Sequence, residues 1–234
     1  MVFVSATGAT VDLVHKVADA GADCAMVYAP GIGQDNFDYD GCLKHFETVA
    51  NKSPIPIVFH HLFTQKNPIP VELITELAPH PKIVGTVETG FDIARIGMIC
   101  KETADYAIKY GNNFHVITQK AGTILPALSV GASGVISSLS NILPFEVCRL
   151  VELIEENKWQ EAKELQWKLL GPSEACGAHG VSALKAALKH FIGIDAGSVR
   201  SPLRNLTEEE VAELKRVFQN AGFFVDSEPS EQKA

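Results

Sequence analysis

At 234 residues, with 46% hydrophobic and 21% charged positions, the chain is long enough for one large core and has the balance of an ordinary water-soluble protein. A formal net charge of −8, with no clustering of Lys and Arg, excludes a nucleic-acid surface and leaves a small molecule or another protein as partner. No apolar run is long enough to span a bilayer. The five cysteines have no close spacing, which predicts free thiols in a reducing compartment. With no signal or transit pattern at Met1-Val2-Phe3-Val4-Ser5, the expected address is cytoplasmic, or mitochondrial if the true N-terminus lies upstream.

Short apolar runs rich in β-formers alternate with helical patterns, which predicts parallel strands joined by crossover helices. In chain order the strands are expected at Val2 to Ser5, Cys24 to Tyr28, Ile55 to Phe59, Ile83 to Val87, Phe114 to Thr118 and Gly134 to Ser137. Several are unbroken apolar runs, as strands buried on both faces require. The helices between them are expected at Val11 to Ala20, Tyr39 to Ala50, Val71 to Leu77, Ile93 to Tyr110 and Gly122 to Val130, with Gly21 and Gly111 as C-terminal stops.

After Ser140 the strand signals end. Helices are expected at Phe145 to Asn157, Trp159 to Leu170, Val181 to Phe191 and Thr207 to Ala221, the last opened by the capping box Thr207 to Glu210. Trp159 and Trp167 are expected to pack in a core or against another subunit. The fold class is α/β, of the (β/α)8 TIM-barrel type, short of the first two βα units and carrying a C-terminal helical extension. The expected division is a partial barrel over 1–141, helices over 142–224 and a disordered tail over 225–234.

Ordered blocks along the chain resemble the dihydrodipicolinate synthase and N-acetylneuraminate lyase family. Val4-Ser5-Ala6-Thr7-Gly8 resembles the third barrel strand, Gly21 to Val27 the fourth and Pro54 to Val58 the fifth; His80 to Gly85 leads into the catalytic strand. Leu125 to Leu128 with Gly131 to Ser137 resembles the seventh helix and eighth strand. The C-terminal blocks Trp159 to Ala162, Gly180 to Lys185 and Arg200-Ser201-Pro202-Leu203 look closest to the 4-hydroxy-2-oxoglutarate aldolase branch.

The resemblance implies an oxo-acid lyase whose lysine forms a Schiff base with a pyruvate-like substrate and needs no cofactor. It also implies pocket positions at Thr7, Ile32, His60, Gln65, Val87, Glu88, Lys120 and Ile136. The departures fall on the chemistry. Val87 stands where the family has the lysine, His60 where it has the relay tyrosine, Gln65 where it has an arginine, and Gly31 and Ile32 where it has paired tyrosines. Valine has no lone pair to attack a carbonyl.

Two residues could carry displaced chemistry. Lys120, just past the seventh family strand, lies at the rim where barrel active sites sit, though a lysine there is more simply a solvent-facing side chain or a partner of Glu88. His60 suits acid–base work near neutral pH, against which stands a neutral histidine hydrogen-bonded at a strand end. A metal set of His60, Glu88 and His115 is disfavoured because His115 opens its strand, so no metal is expected. The favoured reading is a family member without lyase activity, self-associating or associated with a full-length homologue; the alternative is an active lyase on oxo acids using a displaced group, Lys120 or His60.

Overall fold

The structure, a computed structural model, describes residues 6–29, 38–60, 69–111 and 113–224. The strand expected at Val2 to Ser5, the positions Gly31, Ile32 and Gln65, and the 225–234 tail lie outside the described residues. The chain divides into two compact units, Met1–Gln119 with Pro126–Val135, and Lys120–Leu125 with Ile136–Ala234.

The first unit is built on a parallel sheet whose strands pair in chain order: β1 (Ala25–Tyr28), β2 (Ile57–His60), β3 (Ile83–Glu88), β4 (His115–Thr118) and β5 (Gly134–Val135). Sequential parallel pairing requires a crossover after every strand. The crossovers are α2 (Tyr39–Lys52), α3 (Val71–Leu77), α4 (Ile93–Thr103) with α5 (Tyr106–Tyr110), and α6 (Ile124–Ser129); α1 (Thr7–Asp19) precedes β1. One face of the sheet meets this helix layer. Ala25, Val27, Ile57, Phe59, Ile83 and Val116 pack there with Val14, Phe46, Leu73, Ile96 and Ile99. Burying such side chains contributes roughly 1.5–3 kcal/mol each.

Local chemistry accounts for the places where the elements depart from the sequence pattern. Thr7 was expected on a strand and instead opens α1, where Ala6 is extended and its carbonyl accepts from the Thr10 amide at 2.9 Å and the Thr10 hydroxyl at 3.0 Å. The single helix expected over Ile93 to Tyr110 breaks into two. The Thr103 hydroxyl donates back to the Ile99 carbonyl at 2.8 Å, a bond that bends helices, and Asp105 caps a new turn whose Lys109 amide returns to its carbonyl. Gly111, at φ 67°, closes α5 in the left-handed conformation.

The last strand is shorter than expected, because the Ser137 hydroxyl accepts from the Leu139 amide and starts a 3₁₀ turn over Ser138–Asn141. Ile136 therefore follows the strand instead of lying on it, and is 44% exposed.

The second unit is helical: α7 (Pro144–Glu155), α8 (Trp159–His179), α9 (Val181–Ala187) and α10 (Glu208–Asn220). The α8 helix was expected to stop at Leu170, before Gly171-Pro172, yet it runs on to His179. A proline inside a helix costs about 3 kcal/mol. Here Pro172 and Ser173 are buried, and the Ser173 hydroxyl accepts from the Gly122 amide at 3.1 Å, so packing within the unit overrides the break. The expectation of packed tryptophans fails within the chain: Trp159 and Trp167 are exposed, with the Lys163 ammonium over the Trp167 ring at 5.2 Å. The capping box forms as expected, Thr207 and Glu210 exchanging side-chain and backbone bonds.

Candidate functional site at the strand ends

Register fixes which side chains share a face. Tyr28 is aligned with His60, His60 with Val87, and Val87 with Ile117, so these four form one row across the C-terminal ends of β1 to β4. The row lies on the face opposite the helix layer, which in a closed barrel is the inside, and at the strand ends where barrel active sites lie. His60 and Val87 are buried, and the Tyr28 and His60 rings stand 4.6 Å apart at 56°. Burial pushes the Tyr28 phenol up from its ordinary value. The row thus presents a phenol and an imidazole beside two aliphatic side chains, able to hydrogen-bond a carbonyl or carboxylate and unable to add covalently to one.

The row is aligned because Gly85 lets β3 and β4 approach. A Cβ at Gly85 would stand 2.3 Å from the His115 carbonyl oxygen, so only glycine fits there.

Glu88, one residue past Val87, points to the other face. Its carboxylate accepts from the Arg95 Nε at 2.8 Å and from the Thr86 hydroxyl at 3.0 Å, and it is 2% exposed. Arg95 comes from the first turn of α4, where the Asp92 carboxylate caps the helix by accepting from the Arg95 amide at 2.8 Å. The pair ties the end of β3 to the helix that follows. Thr118, aligned with Glu88 on β4, is fully buried beside it.

The sequence candidates therefore separate. His60 and Val87 stand side by side, while Glu88 lies behind them and is committed to Arg95. The trio His60, Glu88 and His115 does not converge, and among the described residues no group of three metal-ligating side chains forms. Thr7, expected in the pocket, shares a 2.9 Å hydrogen bond with His45 Nδ1 of α2. Lys120 falls in the second unit, where its ammonium donates to the Glu174 carboxylate of α8 at 2.7 Å. Sequence reasoning missed Tyr28 and Arg95. Alternation shows which residues of one strand share a face, but the pairing of Tyr28 with His60 needs the strand register, and that of Arg95 with Glu88 needs the path of the βα turn.

Residues 4–221 match the Dihydrodipicolinate synthetase family. A 4-hydroxy-tetrahydrodipicolinate synthase of Methanoculleus marisnigri is 34% identical over 220 residues, covering 92% of this chain and 72% of that protein. The enzyme of the same name from Methanospirillum hungatei is 31% identical over 215 residues, covering 90% and 70%. Among solved structures, dihydrodipicolinate synthase from Bacillus anthracis superposes with a TM-score of 0.82 at 28% identity, over 92% of this chain and 71% of that one. The synthase from Aquifex aeolicus gives 0.82 at 26% identity, over 95% and 74%. Among the described residues no helix is long and apolar enough to cross a membrane. With an α/β architecture like that of these TIM-barrel enzymes, a helical C-terminal extension and a family match over most of its length, the chain belongs to the Dihydrodipicolinate synthetase family.

Proposed function

We propose that this chain keeps the family scaffold without its Schiff-base chemistry, and holds a small oxo acid non-covalently at the strand-end row. One observation carries the reading: the row of Tyr28, His60, Val87 and Ile117 contains no amine. No lysine occurs on any of the described strands. The relatives are named as synthases, and the resemblance assigns their covalent step to a lysine at position 87; without it the remaining groups can bind an oxo acid and cannot form the imine.

The competing reading places the nucleophile at Lys120. Against it stands the 2.7 Å ion pair with Glu174, since an ammonium engaged with a carboxylate has no lone pair to offer. The test is borohydride reduction in the presence of pyruvate, read by intact mass. No mass gain is expected, whereas a pyruvyl adduct mapped to Lys120 by peptide analysis would overturn the proposal. Binding itself is read by saturation-transfer NMR with pyruvate, which His60→Ala should weaken.

A further inference from the structure

A cavity of about 490 Å³ opens at the other end of the sheet, near the start of β4, within the roughly 300–1,000 Å³ usual for small-molecule sites. Gly97, Cys100 and Ala104 of α4 line one side and Ala107 of α5 another, with Phe114 and Val130 completing the apolar surface.

The cavity lies beside the break between α4 and α5. At its base α4 and the turn after α6 pack closely, since a Cβ at Gly97 would touch Val130 at 3.4 Å and one at Gly131 would meet the Cys100 Cβ at 3.0 Å. Beyond the break, α5 buries none of its residues and is tethered to α3 by the Tyr106 hydroxyl, which donates to the Thr75 carbonyl at 2.9 Å.

Lys101 is the charged group of the lining, beside the polar His115, Asn113, Thr103 and Ser133, and among the described residues no Asp or Glu lines the cavity, in a chain whose net charge is −8. Of the nearby acids, Glu102 stands 3.5 Å from the Lys101 ammonium and Asp105 pairs with Lys109 at 3.6 Å, both exposed, while the buried Glu88, whose charge is felt at Cys100, is held by Arg95. Exposed pairs of this kind are weak, so Lys101 can turn to another anion at little cost.

We propose that this cavity is a second binding site, for a small organic anion with a flat apolar body. The body lies on Phe114, Val130 and Ala104, and the carboxylate meets Lys101, Asn113 and His115. The site is independent of the strand-end row, being at the opposite end of the strands, so failure of either reading leaves the other intact.

Benzoate is a suitable probe, titrated into the full chain labelled with ¹⁵N and followed by amide shifts and by calorimetry. Saturable millimolar binding is expected, with shifts at 97–107, 114–116 and 130–133. Benzamide, the neutral isostere, should bind at least about fivefold more weakly, and Lys101→Glu should weaken benzoate about tenfold. The Lys101 side chain is 81% exposed, so this variant leaves the fold intact. Ala107→Trp, which fills the cavity, should abolish binding. Absence of saturable shifts, shifts confined to other regions, equal binding of benzamide, or unchanged affinity in the lysine variant would each overturn the proposal.

Discussion

At the scale of single residues, two positions beside Val87 hold the row in place by different means. Gly85 acts by lacking a side chain. Adding one methyl would press it to 2.3 Å from the His115 carbonyl oxygen, backbone that cannot rotate away, so β3 and β4 would have to separate. Gly85→Ala is therefore expected to destabilise the chain by about 2–3 kcal/mol, read as a lower urea midpoint. Glu88 acts through charge. Removing its carboxylate leaves the Arg95 guanidinium buried without its counter-ion, and breaking a buried pair in this way costs roughly 3–5 kcal/mol. Glu88→Gln keeps the shape and some hydrogen bonding, so a loss near the lower end is expected; a midpoint equal to wild type would show that the pair is dispensable.

Among the elements, α10 is the one most fully specified by local sequence. Thr207 and Glu210 satisfy each other's backbone amides, and Arg204 grips the Glu210 carboxylate through two bonds of 2.7 Å. Thr207→Ala should cost about 1 kcal/mol, with faster amide exchange confined to the first turn of that helix. Where local rules decide, the sequence was legible: this cap, the stop at Gly111 and the extent of Val71–Leu77 all follow from neighbouring residues. It was less legible where distant partners decide. Nothing near Pro172 announces that Ser173 will meet the Gly122 amide and carry α8 onward. The same division holds at the site. The absence of lysine at Val87 is visible in the sequence, but that Tyr28 stands beside His60 depends on strand register, and that Lys120 pairs with Glu174 depends on the path of a helix more than fifty residues on.

For the molecule as a whole, acid stability is set by groups whose folded and unfolded protonation differ. His45 is 3% exposed beside Phe46, and burial pushes its imidazole down from 6.5 to about 4. The unfolded chain therefore takes up a proton below about pH 6.5 that the folded chain refuses until about pH 4, so stability is flat above this window and falls through it as pH drops. A shift of that size corresponds to about 3 kcal/mol across the window. His80 and His190 are also lowered by burial and add to the slope with the same sign, more weakly because they are less buried. The carboxylates act lower. Arg204 and the Thr207 amide hold Glu210 down at about 2, so its contribution is present above the unfolded value and is lost only as pH falls from there toward 2. Its partner Arg204 is exposed and Glu210 is half-buried at the surface, so salt should erode its share more than that of His45. Urea midpoints measured from pH 8 to pH 3 should thus decline in two stages. His45→Gln should flatten most of the upper stage and leave the lower one, and added salt should do the reverse. An upper stage that persists undiminished in the His45 variant would mean that the buried imidazole does not govern the acid limb.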